Sequence, residues 1–184
     1  AILVPTAHDE PALYQRIWDG GCPHISALVY NTEEEKKVFL KRFPDCKNIL
    51  SEIVGIGLEA LPKSLEKCLY PQLNGKKFVL YLGRIDINKG CRELIEFFGS
   101  FKKKSGDEIL LALAGKAEMA IPNRDWIIPL GFVSIEEKYW LLEHCSLLIL
   151  PSYFESLSLA VLEAWSKGRP VLVNGRCSAL AGQV

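Results

Sequence analysis

Arg84 and Lys89 stand five residues apart in "YLGRIDINKG", residues 81–90, between an apolar run and a helix-like segment. Two cations in one loop can hold a diphosphate, the Arg through a planar fork and the Lys as a point charge. The spacing equally allows a solvated loop in which Arg84 pairs with Asp86. A second stretch, "PSYFESLSLAVLEAWSKG" at 151–168, carries Glu155 and Glu163. Glu163 interrupts an apolar run, between Leu162 and Ala164–Trp165, and could accept two hydrogen bonds from vicinal hydroxyls. Ser156, Leu157 and Ser158 fall where a helix would begin, and helix N-termini offer unpaired N–H groups to an anion. Structural roles account for the same residues. Ser152 and Glu155 fit a capping box, and Glu163 with Lys167 fits a favourable i, i+4 pair. A third stretch, "IIPLGFVS" at 127–134, turns at Gly131, Phe132 and Val133. Such a turn can present backbone groups to a planar base, or simply join a strand to a helix.

These residues need a scaffold that brings separate loops together. Short apolar runs at Ala1–Pro5, Ile25–Tyr30, Ile49–Val54, Phe78–Leu82, Ile109–Ala114, Trp126–Leu130, Leu147–Leu150 and Pro170–Val173 read as strands. Most are continuously apolar rather than alternating, as expected when both faces of a sheet are covered. Helical patterns separate many of them. "NTEEEKKVFLKRF" has Thr32 as cap, acids in its first turn and cations in its last. "CRELIEFFGSFKKK" carries apolar residues at helical spacing, as does "SIEEKYWLLEHC", which opens on a capping box from Ser134 to Glu137. The alternation predicts an α/β fold with parallel sheets. All three candidate site loops then leave the carboxyl ends of strands, the edge where open parallel sheets bind ligands. Periodicity is weakest from about Gly55 to Lys77, which marks a linker at 55–76 between a unit at 1–54 and another at 77–184.

Bulk properties narrow the function classes. The 184 residues are 49% hydrophobic, enough for a substantial core, and carry zero formal net charge. A broadly basic surface for nucleic acid or anionic membrane is therefore not expected. The six cysteines, at 22, 46, 68, 91, 145 and 177, form no CxxC pair or framework spacing. They read as reduced packing thiols of a cytoplasmic protein with no metal site. No stretch has the length of a membrane span. The chain opens without Met and ends on no closing element, and is expected to be an internal piece of a longer protein. "VGIGLEA", residues 54–60, matches a dinucleotide fingerprint, yet Pro62 follows and no acidic residue ends a second strand. A flexible strand exit explains it better. P-loop and G-x-S-x-G motifs are absent.

Taken in order, Gly83-Arg84, Lys89-Gly90, the Gly131–Val133 turn and "PS-x-x-E-S-x-x-L-x-x-L-E-A-x-x-x-G-x-P-V" resemble glycosyltransferase family 4. The likeness covers essentially the whole chain, since "VPTAHDE" and "ISALVYNTEEEK" look like the end of that family's acceptor lobe. The resemblance implies a retaining, metal-independent hexosyltransferase of the two-lobed GT-B fold, built from parallel-sheet Rossmann-like units. It needs no cofactor beyond a nucleotide-diphosphate sugar. Gly83, Arg84 and Lys89 would bind the leaving diphosphate, and Glu163 the ribose hydroxyls. Glu155 would lie by the donor sugar, with the amides of Ser156, Leu157 and Ser158 on the sugar or distal phosphate. Gly131, Phe132 and Val133 would border the base, and His8 would face the cleft, with a structural role for His8 as its alternative. Many relatives carry Gly at the place of Ser158, which touches donor preference. The acceptor would be a glycan, a lipid-linked precursor or a small molecule, as in polysaccharide biosynthesis. No nucleic acid is implied, and peripheral membrane association would run through segments missing here. Lacking parts of both lobes, the fragment alone is expected to be inactive. The rival readings are a non-catalytic sugar-nucleotide-binding protein and a GT-B-fold sugar-nucleotide epimerase.

Overall fold

A computed structural model describes Ile2–Leu3, residues 24–58 and residues 70–184. The chain groups into two compact units. One comprises Ala1–Gly57, Phe154–Ser158 and Gly175–Val184, and the other Leu58–Tyr153 and Leu159–Asn174.

The first unit holds a parallel three-stranded sheet of β1 (Ile2–Leu3), β2 (Ala27–Tyr30) and β3 (Leu50–Ile53), with β2 central. Helix α1 (Glu33–Arg42) starts as expected, with the Thr32 hydroxyl accepting from the Glu35 N–H at 3.0 Å. Glu35 returns the favour by accepting from the Asn31 N–H at 2.6 Å, which explains how a carboxylate can be fully buried there. Leu28, Tyr30, Phe39 and Cys46 form the core of this unit. Cys46 is disulfide-bonded, which corrects the expectation of six reduced thiols; no sequence spacing announced it. Cys91, Cys145 and Cys177 are free and buried. After β3, Val54–Leu58 form no helix, and Val54, Ile56 and Leu58 are exposed, so Gly55 and Gly57 open no helix within the described residues.

The second unit is built on a parallel five-stranded sheet: β4 (Phe78–Leu82), β5 (Leu110–Ala114), β6 (Ile127–Gly131), β7 (Leu147–Leu150) and β8 (Val171–Val173). Their spatial order is β6-β5-β4-β7-β8. The continuous apolar runs of β4 and β5 lie at the centre and are buried on both faces, as their lack of alternation requires. β6 is an edge strand, where Pro129 costs no ladder hydrogen bond. Helix α2 (Cys91–Ser105) buries Cys91, Leu94, Ile95 and Phe98, one stripe at helical spacing. Helix α3 (Ile135–His144) opens on the expected box, Ser134 accepting from the Glu137 N–H at 3.2 Å and Glu137 from the Ser134 N–H at 2.6 Å. The chain reverses direction across the sheet between β4 and β7. In open parallel sheets ligands bind beside the strand ends at such a switch point. The remaining helices are α4 (Leu159–Ser166), in this unit, and α5 (Ser178–Gln183), in the first.

Candidate functional site

Three neighbouring strand ends frame a cavity of about 570 Å³ in the second unit. That volume suits a small ligand. The Gly83 N–H donates to the Ala114 carbonyl at 3.0 Å, and the Gly115 N–H to the Gly131 carbonyl at 2.7 Å, so β4, β5 and β6 finish level. Gly115 has φ 146°, and a Cβ there would fall 1.8 Å from the Gly83 carbonyl oxygen. Only glycine allows this approach. Arg84 and Lys116, the residues following these glycines, both line the cavity.

Arg84 forms the pair with Asp86 that its sequence allowed, and it also stands on the cavity wall. Its Nε donates to Asp86, and the Glu118 carboxylate lies 3.6 Å away, yet its side chain is 51% exposed at the cavity wall. Lys116 pairs with the same Glu118 at 3.2 Å. Asp86 also accepts from the Lys89 backbone N–H at 2.8 Å, so one carboxylate sets both ends of the cationic loop. Burial pushes the Asp86 carboxyl upward, but the Lys89 N–H and Arg84 outweigh it and hold the group below the usual carboxylate range. The same contact raises the Arg84 guanidinium further. Gly90, with φ 71°, turns this loop against the β7 exit, where a Cβ would meet the Pro151 carbonyl oxygen at 2.3 Å. The Tyr153 N–H donates to the Asn88 carbonyl at 3.3 Å across the same junction. The Lys89 side chain is half-buried and is not among the residues lining the cavity.

Glu163 lines the cavity too, with its side chain only 12% exposed. The expected bond to Lys167 does not form. Lys138 of α3 donates to Glu163 Oε1 at 2.5 Å and the Tyr139 hydroxyl approaches the same oxygen at 3.4 Å, while Lys167 donates to Glu143. Pairing between packed helices shields both partners from water, which a pair along one exposed helix face cannot do. The expected helix start is also displaced: α4 begins at Leu159, and no capping box forms at Ser152, whose hydroxyl is buried without a partner. Phe132 and Val133 complete the set of expected residues at the cavity, Phe132 being 89% exposed. Gly131 ends β6 just before them.

Glu155, Ser156, Leu157 and Ser158 belong to the first unit. Glu155, Ser156 and Leu157 are half-buried and Ser158 is buried. The Ser158 N–H donates to Gln183 Oε1 at 3.0 Å, and Gln183 Nε2 donates back to the Ser158 carbonyl at 2.9 Å. One of the amides expected to meet a ligand is therefore already satisfied by a side chain of α5. His8 lies outside the described residues. Among the described residues no group of three or more His, Cys, Asp or Glu could hold a metal ion, and no helix is long and apolar enough to cross a membrane.

Three residues at this site escaped sequence reasoning: Gly115, Lys116 and Lys138. The first two had a readable signal. "LAGK" at 113–116 repeats the pattern of "YLGR" at 81–84, a glycine and then a cation directly after an apolar strand. Lys138 had none, because its role depends on which face of α3 meets α4.

Known proteins resemble the chain in the same region. A 29% identity over 118 residues links it to the uncharacterized glycosyltransferase YqgM of Bacillus subtilis (strain 168), covering 59% of this chain and 33% of that protein. The alpha-D-kanosaminyltransferase of Streptomyces kanamyceticus is 30% identical over 114 residues, 56% of this chain and 30% of that one. The chain thus spans about a third of the length of these relatives. In fold it is similar to the pneumococcal O-GlcNAc transferase GtfA, solved with UDP and GlcNAc, with a TM-score of 0.63 at 16% identity, covering 94% of this chain and 37% of that one. The α/β architecture with its parallel sheets is that of the GT-B glycosyltransferases. The model of the family described as glycosyl transferases group 1 matches residues 70–181, and the chain belongs to that family.

Proposed function

We propose that the protein is part of a retaining, metal-independent glycosyltransferase of family 4 type, and that the cavity of the second unit binds the nucleoside diphosphate portion of a sugar donor. The observation that carries this reading is the meeting of Arg84 and Glu163 on one cavity of about 570 Å³ beside the carboxyl ends of β4, β5 and β6. A guanidinium and a carboxylate there match the two polar ends of a nucleoside diphosphate. The carboxylate accepts from ribose hydroxyls, and the guanidinium, with Lys116 beside it, faces the diphosphate. Phe132 and Val133 border the base.

Breaking the bond between a sugar and a nucleoside diphosphate places negative charge on the departing phosphate. Cations held in position before the reaction stabilise that charge without reorganising. Asp86 holds Arg84 in this way. Fixed cations of this kind can take the part that a divalent metal plays elsewhere. His8 and Glu155 at the reacting sugar, Lys89 at the diphosphate and the Ser156–Ser158 amides are assignments that rest on the family resemblance alone. The acceptor, a glycan, lipid or small molecule, belongs to the whole protein, as does cytoplasmic residence.

Binding of uridine, guanosine and adenosine diphosphates to the full-length protein tests the reading. Arg84→Ala and Glu163→Ala should each weaken the best-bound diphosphate by about tenfold or more, the loss of one charge-assisted hydrogen-bonding partner. Smaller losses in both variants would refute the donor site.

A further inference from the structure

We infer that Lys138 is a positioning residue for Glu163, fixing one carboxylate oxygen so that the other is the one offered to a ligand hydroxyl. The inference rests on the proposed donor site and adds to it a residue that the resemblance does not assign. Glu163 Oε1 receives two donors, the Lys138 ammonium at 2.5 Å and the Tyr139 hydroxyl at 3.4 Å. Among the described residues Oε2 receives none. Both side chains line the cavity, and both are largely withdrawn from solvent, Glu163 at 12% and Lys138 at 25% exposure.

An exposed carboxylate would rotate freely and meet a diol in many orientations. A half-buried one must have a counterion, and that counterion decides which oxygen stays available. Lys138 is itself located by its surroundings. Its ammonium lies 4.9 Å from the centre of the Tyr139 ring, and the Lys167 ammonium lies 5.3 Å from the same ring. Lys167 is in turn engaged by Glu143, which keeps it off Glu163. Two ion pairs, one between α3 and α4 and one from α3 to the turn just after α4, thus sort two lysines between two carboxylates, and the sorting leaves Oε2 for the ligand. Lys138 acts on the ligand through Glu163, so its loss should fall more heavily on the ribo form of a ligand than on the form without hydroxyls.

The test compares each ribonucleoside diphosphate with its 2′,3′-dideoxy counterpart, uridine first and then guanosine and adenosine, on the full-length protein by calorimetry. The wild type should favour the ribo form by about tenfold, the worth of one or two hydrogen bonds to a charged acceptor. Lys138→Met should shrink that preference to about threefold or less, read as the ratio of the two affinities within the same variant. Lys138→Arg should restore it, because a guanidinium can donate to Oε1. The double variant Lys138→Met/Glu163→Gln should be no worse than Glu163→Gln alone, as expected when both residues act through one interaction. Lys138→Ala, which likewise removes both donor and charge, serves if the Met variant does not fold. The inference is overturned if Lys138→Met keeps the ribo preference, weakening ribo and dideoxy forms equally or neither, which would make Lys138 a direct phosphate or base contact or a bystander. A wild type that binds diphosphates without any ribo preference also overturns it. A wild type that binds none of the three diphosphates refutes the donor site itself, a separate and recognisable result.

Discussion

Replacing Asp86 by Asn keeps the shape of the side chain and removes its charge. In the native loop this carboxylate is 12% exposed and accepts from both the Arg84 Nε and the Lys89 N–H. A hydrogen bond from a backbone N–H to a carboxylate contributes about 1.5–3 kcal/mol. The ion pair adds less, about 0–1 kcal/mol, because the Arg84 side chain is 51% exposed and screened by water. Asn can still accept one of the two bonds through its amide oxygen, so the expected loss at pH 7 is about 1–2 kcal/mol.

The acid dependence makes the prediction specific. The Asp86 carboxyl is held below its ordinary value by the Lys89 N–H and by Arg84, although burial pushes it upward. A carboxyl depressed in the folded state adds stability above its unfolded value, near pH 4, and loses that stability as pH falls through the lower folded value. The gap between wild type and Asp86→Asn should therefore be full at pH 6–7 and narrow below about pH 4. Urea unfolding of the full-length protein, followed by circular dichroism at pH 7, 5, 4 and 3, measures it. A gap under about 0.5 kcal/mol at pH 7, or one of constant size down to pH 3, would refute the placement of Asp86 as organiser of this loop.

Gly115→Ala should be among the most damaging single changes, lowering stability by about 3 kcal/mol or preventing folding, since both φ and the Gly83 carbonyl oxygen exclude a side chain; thermal unfolding reads it directly. Ser134→Ala removes the reciprocal cap of α3 and should cost about 1 kcal/mol in the same measurement. A double-mutant cycle of Lys167→Met with Glu143→Gln should give a coupling of about 1 kcal/mol or more, because both partners are largely withdrawn from solvent. Burial raises the Cys145 thiol to about 11 and also raises Cys91, so neither should react with a thiol reagent at pH 8 until denaturant is added; release of chromophore from a disulfide reagent counts them.

Where strand and helix signals are local, the sequence was nearly sufficient. The β4 and β5 runs are continuously apolar because both their faces are covered, and they occupy the sheet centre as that pattern implies. Thr32 and Ser134 cap the helices they were expected to cap, because a cap depends on residues only three apart. The start of α4 did not follow the same logic. Ser152 and Glu155 have the spacing of a capping box, but the β7 exit is tied to neighbouring loops through Asn174 and Tyr153, and the helix begins later. The partners of Glu163 were illegible for a related reason. Sequence shows Lys167 four residues away on the same helix, whereas Lys138 and Tyr139 arrive from another helix 25 and 24 residues earlier. Contacts made by packing depend on the relative rotation of two helices, which no local pattern encodes.

The charges of the cavity explain why position matters there more than net charge. Arg84, Lys116 and Lys138 supply three cations at its wall, and Glu163 one carboxylate. Asp86 and Glu118, which bind the first two cations, restore the balance. A balanced site in a chain of zero formal net charge exerts little long-range pull on an anion. Its strength must come at short range, from groups already oriented when the ligand arrives. Each carboxylate then has a double effect: it lowers the net attraction to a phosphate, and it removes the entropy that a free Arg or Lys side chain would lose on binding. For a bond cleavage that builds charge only at its transition state, the second effect is the more useful one, since a preset cation responds to developing charge without moving. The same reasoning applies to Glu163, whose orientation by Lys138 would be wasted on a ligand without a hydroxyl to donate.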